Sequence, residues 1–177
     1  ENRGEIEAAA HQALPQLIKM TDIKGDLHVH SNWSDGIHSI PEIAEAASKQ
    51  GLEYIAICDH SKTLRIAHGL DENRLRKQLQ EIEVVNASGL NCTVLKGIEV
   101  DILTTGRLDL PNDLLQELDF VIASIHSGFK HDVRTLTNRL LSAIHNDTVS
   151  AIGHPTGRLI QRRAPYSIHL EQIFDAA

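Results

Sequence analysis

Apolar positions along this chain switch repeatedly between short β-type runs and a three-to-four spacing. The β-type runs fall at Lys24–Val29, Glu53–Cys58, Cys92–Val100, Asp119–Ile125 and Val149–Ile152. Helical spacing follows them. Ser39-Ile40-Pro41-Glu42 reads as a capping box with proline in the first turn, opening a helix with Ile43, Ala44 and Ala47 inward and Gly51 at its end. Asp71 caps a longer helix carrying Leu75, Leu79 and Ile82, stopped by Gly89. Pro111–Leu118 is a short helix, Val133–Asn146 turns Leu136, Leu140 and Ile144 inward, and a further helix begins at His169. Between them, Asp101–Leu110 reads as a small hairpin or loop around T-T-G. Glu1–Leu17 is expected to be a polar helix broken at Pro15, making residues 1–20 a linker and 21–177 the domain. Strand-then-helix alternation predicts an α/β fold with a parallel sheet. An open doubly wound sheet and part of a barrel both satisfy the pattern.

Composition narrows the class. The 177 residues suffice for one domain with a core, and 41% hydrophobic against 3% aromatic content makes that core aliphatic. No apolar run approaches the ~18 residues of a membrane span, so a soluble, cytoplasmic protein without a membrane partner is expected. A formal charge of −7 argues against a broadly basic surface while leaving room for a local basic rim. Cys58 and Cys92 lie in apolar runs and read as small core residues. Histidine, at 11, is the outlier.

Placing the metal-type residues on the element map gives a regular result. His28, His30 and Asp35 follow the first strand, Asp59 and His60 the second, Glu99 ends the third, and His126 and His154 follow the fourth and fifth. Every strand therefore carries a ligand-type residue at its C-terminal end, where active sites of parallel α/β folds assemble. One such histidine is unremarkable; a set at five strand ends is not. His11, His38, His68, His131, His145 and His169 lie instead in helices or polar loops and are expected to be solvated. Nitrogen and carboxylate donors without thiolate suit Mn²⁺, Zn²⁺ or Fe²⁺ over Mg²⁺ or Ca²⁺. The number of ligands implies two or three ions, with Glu99 the natural bridge. Metals about 3.5–4 Å apart generate a hydroxide and clamp phosphoryl oxygens. The reaction class is thus metal-assisted hydrolysis, of a phosphoester first and an amide as the chemical rival. Asp59 is expected to hold its neighbour His60 in place.

The motifs D-L-H-V-H-S…S-D-G, C-D-H-S, G-I-E-V-D, S-I-H-S and G-H-P together resemble PHP (polymerase and histidinol phosphatase) domains. More narrowly, D-H-S-K-T-L-R-I-A-H-G-L and G-H-P-T-G-R-L-I-Q-R-R-A-P-Y resemble the C-terminal PHP domain of bacterial and archaeal family X DNA polymerases. The resemblance implies a distorted seven-stranded β/α barrel, here with about five β/α units, and three metals. His28 and His30 would bind the first with Glu99; Glu99 would bridge to a second held by His126 and His154; Asp35 and His60 would bind the third. It also implies a Mn²⁺-dependent 3′–5′ exonuclease or 3′-end-processing role in DNA repair, with a polymerase domain N-terminal in cis. The family ends with a D-x-H motif on its last strand, and this chain stops at Ala177 before any such strand. By the same resemblance the site of Glu99, His126 and His154 keeps its full protein set and is expected to carry catalysis. The chain is accordingly expected to be a fragment, weak or inactive alone, with open strand edges that favour self-association.

Lys62, Arg65, Arg158, Arg162 and Arg163 follow strand ends and are expected to rim the site, where they would hold phosphates. Trp33 either stacks on a base or packs under its loop. Two other readings stand beside DNA 3′-end hydrolysis: a small-molecule phosphatase of histidinol-phosphate type, and a non-catalytic module that supports a polymerase.

Overall fold

The computed structural model describes residues 3–177; the first two residues of the expected linker lie outside them. Five strands form one sheet in the order β1-β2-β3-β4-β5, every neighbouring pair parallel. The strands are β1 (Gly25–Val29), β2 (Tyr54–Ile57), β3 (Thr93–Asp101), β4 (Phe120–Ser124) and β5 (Ala151–Ile152). Sequential order decides between the two candidate architectures. A doubly wound sheet reverses direction at a switch point; here each strand joins the growing edge, as in a barrel, and the result is a curled half-barrel with helices. Among the described residues no helix is long and apolar enough to cross a membrane.

The helices are α1 (Glu5–Ala10), α2 (Ile40–Lys49), α3 (Glu72–Asn86), α4 (Asn112–Leu115), α5 (Val133–Ile144) and α6 (Leu170–Ala176). The Ser39 N–H donates to the Glu42 carboxylate at 2.8 Å, and Asp71 accepts from the Arg74 N–H at 2.8 Å, so the α2 and α3 caps form as their sequences require. Ile40, Ala44, Leu75, Leu79, Ile82, Leu136 and Leu140 are buried against Ile55, Ile57, Val94, Ile98 and Val100 of the strands. The first helix is shorter than its sequence predicts. It ends at Ala10, and Gln12 turns left-handed (φ 54°), before Pro15 is reached. No described residue before Gly25 is buried; α1 has no apolar face to dock, and so short a helix is marginal in water without one. Single turns of 3₁₀ helix at Met20–Asp22 and Arg65–Ala67 have no counterpart in the periodicity.

Candidate metal centre

Because all five strands run the same way, their C-terminal ends share one rim. β3 carries Glu99 into its centre, with only 1% of the residue exposed. Its Oε2 faces His28 Nε2 at 3.4 Å, His30 Nε2 at 3.5 Å and His60 Nδ1 at 2.9 Å. Its Oε1 faces His126 Nε2 at 3.3 Å and His154 Nε2 at 2.8 Å, and accepts a 2.7 Å hydrogen bond from Ser124 Oγ. The five imidazoles form a continuous row, with successive centroids 5.1, 4.4, 4.9 and 5.1 Å apart. Asp35 sits at one side, 3.0 Å from His30 Nδ1 and 3.6 Å from His60 Nε2.

Local sequence explains how each group arrives. His28 and His30 are two apart on an extended segment and so face one way. The loop to Asp35 closes because the Gly36 N–H donates to the Ser31 carbonyl at 2.9 Å, and a Cβ on Gly36 would stand 2.4 Å from the His30 carbonyl oxygen. Gly153 performs the same service at β5: a Cβ there would lie 2.2 Å from Ser124 Oγ and 3.4 Å from Glu99 Oε1. Asp59 is fully buried and does not touch His60's ring nitrogens. It accepts from Ser31 N–H (2.8 Å), Ser31 Oγ (2.5 Å), Ser34 Oγ and Gln78 Nε2 (2.6 Å), and so fixes the loop that carries Asp35.

Three triads of donor atoms each lie within 4.8 Å of one another: His28, His30 and Glu99; His30, Asp35 and His60; and His60, Glu99 and His126. His30 and His60 thus each stand in two groups, where the sequence motifs assigned each to one. A divalent cation fits this arrangement. The buried His60 Nδ1 is within 2.9 Å of a carboxylate oxygen yet makes no hydrogen bond to it, as expected of two donor atoms aimed at a shared point beside them. Burial alone would push the Glu99 carboxyl up, but the contacts from His126, His154, His28 and His60 outweigh it and hold that carboxyl far below the ordinary range. His30 is lowered by burial and by the neighbouring His60, against the pull of Asp35. Cys58 is not among the grouped donor atoms: its Sγ donates to the Leu27 carbonyl, and burial and then Glu99 push its thiol up.

Two contributors were missed in the sequence. Asp101, 1% exposed, places Oδ1 3.2 Å from His126 Nδ1. Burial disfavours the charged ring of His126, but the bonds to Asp101 and Glu99 prevail and raise its pKa to about 9. The spacing E-V-D was the available signal, since residues two apart on a strand share a face. Ser124, opposite Asp101 in the β3–β4 register, carries the same signal two residues before His126 in S-I-H.

The histidines, Glu99, Leu64, Arg158 and Arg163 line a pocket of about 350 Å³. Among the five basic residues singled out, Arg158 lies on its rim with no side-chain partner among the described residues. Arg163 is committed to structure, donating to the Gly157 carbonyl at 2.8 Å and lying 4.2 Å over the Phe129 ring. Arg162 sits in the exposed turn between Leu159 and Arg163, outside the pocket. Lys62 and Arg65 line a neighbouring cleft. Trp33 packs on the core and donates its indole N–H to Glu81 at 2.7 Å.

The family model for the PHP domain matches residues 26–175. This chain belongs to the PHP domain family. It is 51% identical over 162 residues to the DNA polymerase/3′-5′ exonuclease PolX of Bacillus subtilis (strain 168), covering 92% of this chain and 28% of that protein. A probable phosphatase of Thermoanaerobacter sp. (strain X514) is 35% identical over 158 residues, 86% of this chain and 59% of the phosphatase. The PHP chain thus spans less than two thirds of either relative. Among solved structures, histidinol phosphate phosphatase from Lactococcus lactis, crystallised with zinc, L-histidinol and phosphate, overlaps 76% of this chain and 58% of its own, at 18% identity and a TM-score of 0.49.

Proposed function

We propose that this PHP domain is a metal-dependent phosphoesterase acting at DNA 3′ ends, within a longer chain whose polymerase domain precedes it in cis. The observation that carries the reading is the convergence of five imidazoles, from four strand ends, on the two oxygens of one buried carboxylate. His28, His30 and Glu99 would hold one divalent ion, Glu99 with His126 and His154 a second, and Asp35 with His60 a third; Mn²⁺ suits the set first, then Zn²⁺ or Fe²⁺. When bound, such ions supply Lewis acidity and lower the pKa of water. The chain's own residues do the rest. Asp101 faces His126 Nδ1, which leaves Nε2 turned to the cluster. Glu99 neutralises charge at the centre and, with two oxygens, serves both halves. Arg158 at the rim offers a guanidinium to phosphate oxygens. Arg163 fixes the wall through Gly157. The similarity to the B. subtilis polymerase and exonuclease supports DNA as substrate.

The test is hydrolysis by the full-length protein of 3′-recessed DNA against p-nitrophenyl phosphate, with Mn²⁺, Zn²⁺ or no metal. Nucleotide release with Mn²⁺, none without metal, and a loss of about 100-fold or more in Glu99→Ala are expected. Turnover of p-nitrophenyl phosphate alone would favour the small-molecule reading, which the probable phosphatase relatives support. Unchanged nuclease activity in Glu99→Ala would leave only a supporting role for the polymerase.

A further inference from the structure

The basic residues near the metal centre fall into two separate recesses. Arg158 and Arg163 line the histidine pocket. Lys62 and Arg65 line a cleft of about 500 Å³, together with Trp33, Ser34, His68 and Arg74. The two recesses share no lining residue, but they share a wall. In the segment after His60, Leu64 faces the histidine pocket while Lys62 and Arg65 face the cleft. The opposite junction is Asp35, which follows the cleft residue Ser34 and stands 3.6 Å from His60 Nε2.

The cleft is built, not a gap between loose loops. Arg74 on α3 donates to the carbonyls of Trp33, His68 and Gly69, tying the loop after β1 to the loop after β2. Gly69 presses so close that a Cβ would stand 1.9 Å from the Ser61 carbonyl oxygen. In a chain of net charge −7, the lining includes Lys62, Arg65 and Arg74 and no carboxylate. Lys62 is 3.6 Å from Glu72, but Arg65 has no side-chain hydrogen bond or ion pair among the described residues. An unpaired guanidinium in a preformed concavity one wall from the hydrolytic centre suits a phosphate that belongs to the same molecule as the reacting one.

We infer that this cleft binds the phosphodiester backbone of the polynucleotide strand whose end occupies the histidine pocket, and so favours nucleic acid over small phosphomonoesters. The inference rests on the DNA 3′-end reading above. Its test measures kcat/KM of the full-length protein and of Arg65→Ala on 3′-recessed DNA and on p-nitrophenyl phosphate, across a salt series. Arg65→Ala should lose about tenfold more on DNA than on p-nitrophenyl phosphate, chiefly through KM. Its log–log salt slope on DNA should flatten by about 1, and Arg65→Lys should restore most of both. Equal losses on the two substrates, or an unchanged salt slope, with DNA hydrolysis intact in the parent protein would overturn the cleft and leave the DNA reading standing. A parent protein active on p-nitrophenyl phosphate and inert on DNA would overturn both.

Discussion

At the scale of single residues, Asp101 is the group whose role is easiest to isolate. Among the described residues its carboxylate bonds to no site side chain but His126, so it acts by orienting that ring. Partners of this kind are typically worth 10- to 100-fold in metal affinity. Asp101→Asn should therefore weaken Mn²⁺ or Zn²⁺ binding by about that factor, measured by competition with a chelating dye, while leaving the far-ultraviolet spectrum unchanged. The same contact sets a pH dependence in the metal-free protein. His126 keeps its proton up to about 9 in the fold against an ordinary 6.5. The folded state binds that proton more tightly than the unfolded chain, so the stabilisation is complete below 6.5 and disappears as pH rises through about 9. The urea midpoint of the metal-free protein should fall over that window, and the fall should be smaller in Asp101→Asn. Equal slopes in the two proteins would remove Asp101 from the explanation.

At the scale of elements, the site depends on what holds the loops after each strand. Arg139 on α5 is 2% exposed and donates to the carbonyls of Ile102, Leu103 and Ser127, each within two residues of Asp101 or His126. Arg139→Met keeps much of the volume but leaves these carbonyls unpaired, at about 1–3 kcal/mol per buried group. A loss of at least ~2 kcal/mol in urea unfolding is expected; a change below a few tenths would mean that water replaces the guanidinium. The loop after β1 has the opposite problem, too little space. Gly36→Ala would press a methyl against the His30 and Ser31 backbone, at 2.4 Å from the His30 oxygen. Backbone yields less readily than a side chain, so a cost of about 1–3 kcal/mol is expected, with Asp35 and His30 displaced together. Metal titration should then lose the weakest binding step while the Glu99–His126–His154 half is retained.

At the scale of the whole molecule, the legible part of the fold was its alternation. Caps at Ser39 and Asp71 and the apolar runs of β2, β3 and β4 are local signals, and the strand-end histidines inherit their register. Sheet order was not legible from the pattern alone, because a parallel sheet of either winding uses the same strands and helices. Only non-local packing separates them. Asp59 illustrates the same limit within the site. Its neighbour in sequence is His60, but the four hydrogen bonds to its carboxylate come from Ser31, Ser34 and Gln78, on segments that meet only in the fold. The contacts of Glu99 with the five histidines make the rim a shared property of β1, β2, β3, β4 and β5, so a ligand bound there stabilises the whole sheet. For cations at 100 times their dissociation constant, the linkage is about 2.7 kcal/mol per site. In a domain of this size that corresponds to a rise in Tm of about 5–10 °C. Removal of metal with a chelator should lower Tm by at least this amount, and readdition of Mn²⁺ or Zn²⁺ should restore it. In Glu99→Gln the response to chelator should be largely lost, because both halves of the cluster share that one carboxylate. A Glu99→Gln protein that still gains the full shift would mean that the stabilising ion binds elsewhere.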